Sequence, residues 1–256
     1  YIGVVAFEAC ALPTVLEYIA PDFLRGYMYT VEGFDIYATW VAVGVISSLI
    51  ITYVNYIGIK PAAFLQGILT AVIIAIGLVL IAGSSVSGNL TYTEPLFNDG
   101  FGGILSVAVM TPFMFVGFDV IPQAAEEIAI HFKDIGKLII LYIGSAVVWY
   151  AVIILSVSVM MTAPEIDSSV LVTADAIKKA YGGSELMAKL LIIGGMAGIV
   201  SSWNSFFMGG SRAIYALAKA RCLPEFLSVL HPRYKTPTNA IILIGAISCI
   251  APFFGR

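Results

Sequence analysis

The sequence predicts an all-α, polytopic membrane protein, and three observations carry that prediction. Of its 256 residues, 60% are hydrophobic and only 11% are charged, whereas a soluble domain holds about 25% charged residues. Apolar runs about 20 residues long, enough to cross the hydrocarbon core of a bilayer, recur along the chain. Those runs are continuous and lack the period-two alternation of a membrane β-barrel. Twenty-four glycines and a 12% aromatic content also suit helices packed closely in lipid. A net charge of −3 gives no reason to expect nucleic acid as a partner. Cys10, Cys222 and Cys249 lie far apart without metal or redox spacing, so no metal site, cofactor or disulfide framework is expected.

Seven candidate spans follow in order: 1–20, 39–57, 62–83, 101–129, 137–161, 188–217 and 238–254. Together they make residues 1–256 one transmembrane helical domain. The first span opens at Tyr1 without a flank, and Arg256 follows directly on the last. The chain therefore reads as an internal fragment with no signal peptide to remove. Lys and Arg in the loops set the orientation. One side carries Lys60, Lys133, Lys137, Arg212, Lys219, Arg221, Arg233 and Lys235; the other carries Arg25, Lys178, Lys179, Lys189 and Arg256. The densest cluster makes loop 218–237 cytoplasmic, in a protein expected in the plasma (cytoplasmic) membrane. Residues 84–100, with Gly88-Asn89 and Pro95, read as an irregular external loop. In the external loop 163–187, Thr173 can cap a short helix, Ala174–Tyr181, that stops at Gly182-Gly183. Ile177 and Tyr181 share one face of it, which suits either packing on the bundle or a solvated connector.

The fourth span is the most informative. It is apolar to Phe115, passes through Val116-Gly117-Phe118-Asp119, and continues as Val120-Ile121-Pro122 toward Glu126-Glu127. Gly117 permits non-helical backbone, Pro122 removes an amide donor, and Asp119 can cap a helix beginning at Val120. The expected picture is two half-helices meeting near Val116–Phe118; a simple Gly/Pro kink is the alternative. A true break at membrane depth frees backbone groups that must face protein or a polar cavity. The carbonyl end of the first half-helix suits an ammonium group or cation, and Asp119 sits beside the positive end of the second. An acid this deep is also a functional candidate by default.

Phe115-Val116-Gly117-Phe118-Asp119 with Ala125-Glu126-Glu127 resembles the sixth helix of the amino acid–polyamine–organocation (APC) superfamily of permeases. Asn204, Ser211-Arg212, Tyr215-Ala216-Leu217-Ala218, Leu223-Pro224 and the run His231 to Pro237 resemble its eighth helix and following loop. Asn55, Gly58-Ile59-Lys60 and Gln66 resemble the start of its fifth. The resemblance covers the third to ninth of about twelve helices. It implies part of a five-plus-five inverted-repeat transporter fold and secondary active transport of amino acids by alternating access. It further implies that Phe113, Phe115, Val116 and Gly117 meet the substrate, with Asp119 just below. The first helix, which holds the substrate carboxylate in relatives, is absent from this chain. The aromatic and aliphatic Phe113, Met114 and Phe115 lean toward a neutral or apolar amino acid; a polyamine or other organic amine is the alternative that Asp119 keeps open.

The coupling ion is expected to be a proton or sodium. Proton-coupled relatives place a Lys in the fifth helix, but its position here is Ile73, and no Lys occurs from Ala62 to Ala82. Ser201-Ser202 is similar to a hydroxyl pair that helps hold sodium in some relatives. Glu8 and Asp119 are the acids available to a proton relay. Arg212 with Glu126 and Glu127 forms a candidate cytoplasmic gate. Intramembrane proteolysis is disfavoured because only Asp119 among the aspartates lies within a span, while His131 and His231 lie in loops. No repeated pore segment suggests a channel. The sequence gives no oligomeric state, and the partners expected are the solute and the lipid bilayer.

Overall fold

The computed structural model describes residues 1–94, 100–123 and 132–255, apart from the side chains of Phe113 and Phe132. In chain order, α1 (Ile2–Ile19) leads into a hairpin of β1 (Tyr27–Val31) and β2 (Phe34–Tyr37). There follow α2 (Ala38–Ile57), α3 (Ile59–Ser87), α4 (Gly100–Met114), α5 (Val120–Gln123) and α6 (Phe132–Ser158). Two short helices, α7 (Ala163–Ser168) and α8 (Val172–Ala180), precede α9 (Glu185–Lys219) and α10 (Thr238–Ile250). Among the described residues, α1, α2, α3, α6 and α9 are long and apolar enough to cross a membrane. The fourth and seventh expected spans are shorter apolar helices, Gly100–Pro112 and Thr238–Phe254.

The long helices overrun the expected spans. α3 begins at Ile59 and continues to Ser87, taking the first residues of what was read as an external loop. It ends at Gly88-Asn89, and Asn89 then caps a 3-10 turn by accepting the Thr91 amide at 3.0 Å. α9 runs for 35 residues, about 50 Å at the usual rise, which exceeds the hydrocarbon thickness. Hydropathy locates the stretch that lipid can bury; backbone hydrogen bonding carries a helix past it into the polar flanks.

The chain divides into two compact units. The first comprises Tyr1–Ala71, Asp119–Phe132 and Gly195–Arg256. Its core is Val5, Ala9, Leu12, Ile51, Trp203, Phe207, Ile241 and Ile244, drawn from α1, α2, α9 and α10. Pro13 lies inside α1 and cannot bond the Ala9 carbonyl. Gly44 of α2 packs at that carbonyl: a Cβ there would stand 2.7 Å from the Ala9 oxygen and 2.7 Å from Pro252 Cγ. Ser48 donates to the Gly44 carbonyl at 2.7 Å and lies 3.0 Å from the Ser248 hydroxyl, tying α2 to α10. The hairpin was not anticipated. Glu32 and Gly33 both have positive φ (49° and 86°), as a two-residue type I′ turn requires. Ile36 beneath it packs with Trp40 and Val41.

The second unit comprises Val72–Phe118 and Lys133–Gly194. Leu80, Val157, Met160, Met161, Ala176, Ile177 and Ala180 form its core. Gly77 admits the Trp149 ring and Gly83 the Tyr181 ring; a Cβ would lie 2.4 and 2.5 Å from them. Of the two roles open to α8, packing is the one observed: Ile177 is fully buried, and the Tyr181 hydroxyl donates to the Val79 carbonyl at 2.9 Å. Its start differs from the sequence reading. Leu171 is the N-cap and Thr173 lies inside the helix. Its end is as expected: Gly182 (φ 66°) and Gly183 (φ 87°) turn the chain, their amides returning to the Lys179 and Lys178 carbonyls in a Schellman motif. The preceding helix, α7, went unread. Its entry is fixed by the Glu165 carboxylate, which accepts the Thr162 amide at 2.7 Å and hydroxyl at 2.9 Å, half of a capping box.

Candidate functional site

The fourth span is discontinuous. α4 stops at Met114, residues 115–119 form turns, and helix resumes at Val120. Gly117 has φ 113°, a backbone conformation L side chains rarely adopt, so glycine is what lets the chain leave the helix there. Pro112 lies inside α4, and past it the Phe115 amide bonds the Pro112 carbonyl at 3.2 Å, a tighter i→i−3 turn that closes the helix.

Within the second unit, Phe113 and Met114 close α4 and Phe115 enters the break. Phe115 meets Tyr150 edge-on, centroids 5.7 Å apart, and the Tyr150 hydroxyl donates to the Met114 carbonyl at 3.0 Å. One carbonyl at the end of the half-helix is therefore held by the protein. Met114, Val116 and Phe118 are all more than two-fifths exposed, leaving an open aromatic and aliphatic surface along the break.

Within the first unit, Asp119 occupies the residue before α5, where a capping carboxylate was expected. Its Oδ2 accepts a hydrogen bond from the Tyr1 hydroxyl, which in turn accepts one from Gln123 Nε2. Gly209 of α9 makes room for this group: a Cβ there would lie 3.0 Å from Gln123 Oε1 and 3.1 Å from the Tyr1 ring. A tyrosine hydroxyl within an apolar span needs a partner, a signal that could have pointed to Tyr1 and Tyr150 although neither was singled out. Their partners were not legible.

The coupling candidates separate. Ser202 faces Glu8, and Glu8 is 7% exposed within α1. The Ser201 hydroxyl accepts from Gln66 Nε2 at 2.6 Å. Adjacent residues on a helix diverge by about 100°, so the two hydroxyls face different neighbours. Gln66 belongs to a buried amide chain: Asn55 Nδ2 donates to Asn204 Oδ1 at 3.0 Å, and Asn204 Nδ2 donates to Gln66 Oε1 at 3.2 Å and the Ala62 carbonyl at 3.1 Å. Asn55 and Gln66 stand on consecutive helices while Asn204 lies 138 residues beyond Gln66, and this chain joins α2, α3 and α9 inside the first unit. Arg212 was counted among the loop cations, but it lies within α9, 9% exposed, and donates to the Met208 carbonyl at 2.9 Å. Glu126 and Glu127 lie outside the described residues. Among the described residues, no three His, Cys, Asp or Glu side chains are grouped as metal ligands.

A span interrupted at a glycine is a feature that many helical transporters share. The comparisons with known proteins identify the family. The amino acid permease family model matches residues 10–255, and this chain belongs to that family. It is 29% identical over 202 residues to the branched-chain amino acid permease BcaP of Bacillus subtilis, covering 78% of this chain and 43% of that protein. It is 27% identical over 209 residues to an uncharacterized transporter of Mycobacterium tuberculosis (81% and 47%). It is 26% identical over 221 residues to the chloroplastic cationic amino acid transporter 7 of Arabidopsis thaliana (83% and 38%). The chain thus spans less than half the length of these relatives.

Proposed function

We propose that this protein carries amino acids across a membrane, with the solute's ammonium group bound at the helix break of residues 115–119. The carrying observation is the loss of helical hydrogen bonding there, around Gly117, in a chain of the amino acid permease family. Unwound carbonyls within a span stabilise a cation that lipid would reject. Phe113, Phe115, Val116 and Gly117 line the solute in this reading, and the exposed Met114 and Val116 favour a neutral or apolar side chain, in keeping with the name of the Bacillus relative. The Arabidopsis relative is named for cationic amino acids, and Asp119 is the residue that would turn the same break toward an amine or polyamine. The family's alternating access then moves the solute past the break. The protein resides in the plasma membrane with loop 218–237 cytoplasmic, consistent with its basic residues.

The test is uptake into liposomes holding the intact protein. Labelled leucine should enter saturably and without single-channel current, with branched-chain amino acids competing more strongly than lysine or polyamines. Stronger competition by lysine or spermidine would instead establish the amine reading, and no saturable flux of any of them would end both.

Coupling by protons is proposed through Glu8 or Asp119, two acids within the spans, although the fifth-helix lysine of proton-coupled relatives is replaced here by Ile73. The divergence of Ser201 and Ser202 weighs against a shared sodium site. Asp119→Asn and Glu8→Gln, assayed with and without a pH gradient, decide it. At least one should lose the response to the gradient; an undiminished response in both would transfer coupling to another ion. Arg212 with Glu126 and Glu127 remains the proposed inner gate, tested by a double-mutant cycle in which zero coupling would remove it.

A further inference from the structure

The loop between α9 and α10 carries more than a topology signal. It is folded tightly. Leu227 is 5% exposed and sits in the first unit's core. The His231 amide donates to the Thr236 carbonyl at 2.8 Å, and the Lys235 amide donates to the His231 carbonyl at 2.9 Å. His231 Nδ1 accepts the amides of Arg233 and Tyr234 at 3.2 and 3.1 Å. The His231 ring stacks on Tyr234 at 4.7 Å and meets Tyr56 edge-on at 5.2 Å. Thr236 donates to the Tyr56 carbonyl at 2.9 Å, fixing the loop to the last turn of α2. The start of α3, with exposed Lys60, therefore lies at the same end of the first unit.

This closed turn presents an unusual mixture to its surroundings. Arg221, Arg233 and Lys235 are exposed, and Lys219 ends α9 beside them. Glu225 is the one acid from 218 to 237, and it lies 3.9 Å from Arg221. Between the cations stand Phe226, Val229 and Leu230, at 60%, 50% and 41% exposure. Water alone gives no reason to expose three apolar side chains on a short loop while Leu227 turns inward. The boundary of a bilayer does: apolar groups enter the acyl region while neighbouring cations stay at the headgroups.

We propose that this loop, with Lys60, is a docking surface for anionic phospholipid in the leaflet it flanks. Arg233 and Lys235 donate to the headgroup phosphate, and Phe226, Val229 and Leu230 rest among the upper acyl carbons. Charge complementarity selects the occupant, because clustered Lys and Arg at a membrane surface favour acidic lipids. The turn geometry supplies what a flexible basic loop lacks. Its backbone bonds hold Arg233 and Lys235 in place before lipid arrives, so little ordering is left to oppose binding. The surface stands independently of the substrate assigned above.

The experiment places a tryptophan in the loop, Val229→Trp, with the protein in bilayer discs containing brominated phosphatidylglycerol or brominated phosphatidylcholine. The signal from Trp40, Trp149 and Trp203 is subtracted using unsubstituted protein. The anionic lipid should quench the introduced indole preferentially. Arg233→Gln/Lys235→Gln should reduce that preference roughly tenfold, and added salt should weaken it as well. The charge-preserving Arg233→Lys/Lys235→Arg should keep it. Equal quenching by both lipids would reduce the surface to unselective apolar contact and overturn the proposal. Absence of quenching would place the loop in water or against an acidic protein, with the same consequence. Preference unchanged in the Gln variant, or lost in the charge-preserving one, would also refute it.

Discussion

α2 and α6 are both membrane-length helices, yet their surroundings differ. α2, of hydropathy 1.7, has 33% of its spanning window buried in the structure, whereas α6, of hydropathy 2.5, has none. The less apolar helix is the one enclosed by protein. In a soluble protein that order would be reversed. Lipid tails are as apolar as leucine, so greasiness draws a helix to no neighbour; small residues and hydrogen bonds do. α2 has them in Gly44, Ser48, Thr52 and Asn55, and each meets α1, α9 or α10. α6 offers Val147 and Val148 to its surroundings, half-exposed or more.

The sharpest way to break this contrast is Gly44→Val. The new side chain meets a backbone oxygen and a proline ring, neither of which can swing aside, so a cost of about 1–3 kcal/mol or more is expected. A thermal melt in detergent would show it, while Val147→Leu on α6 should melt as the parent does. Equal melting of the two variants would erase the distinction between enclosed and exposed helices. Asn204→Leu comes next. It leaves Asn55 and Gln66 short of partners inside the first unit, at about 1–2 kcal/mol for interhelical hydrogen bonds in membranes. An additional Asn55→Leu should cost less than it does alone, because the partner is already lost.

Gly117→Ala addresses the break. Where φ is positive, the methyl group strains the backbone by about 1 kcal/mol or more, and amino acid uptake should fall while most of the thermal stability remains. Unaltered uptake would separate the unwound segment from transport. The mildest change concerns the segment around α7 and α8. The Lys179 ammonium, with help from the Thr162 amide and hydroxyl, pulls the Glu165 carboxyl down to about 2 from 4.5. A lowered carboxyl means the contribution is complete above pH 4.5 and disappears as pH falls through about 2. Hydrogen exchange in 163–180 should accelerate over that acid interval, and Glu165→Gln should flatten the response without moving the global melting temperature.

Hydropathy gave the spans, and the backbone rule for membranes made them helices. The break was equally legible, because Gly117 and Pro122 surround an acid inside a stretch too apolar to be a loop. The hairpin was visible in principle: aromatic and β-branched residues flank Glu32-Gly33 on both sides. A five-residue strand carries none of the 20-residue apolar signal by which spans are recognised. α7 was similarly hidden behind Pro164, which serves as a first-turn residue in its helix and resembled loop punctuation.

Side-chain partners form the other category. That Ser201 faces Gln66 while Ser202 faces Glu8, and that Tyr1 reaches Asp119, depend on which helices become neighbours and at what rotation. Hydrophobic periodicity supplies that rotation in soluble helices, but in lipid almost every face is apolar and the signal fades. The amino acids thus dictated membrane residence, the helices and the interruption at Gly117, because each follows from local backbone chemistry in a solvent without hydrogen bonds. Assembly of the polar groups into networks was decided only when the helices packed, where a single ångström at a glycine determines which side chains meet.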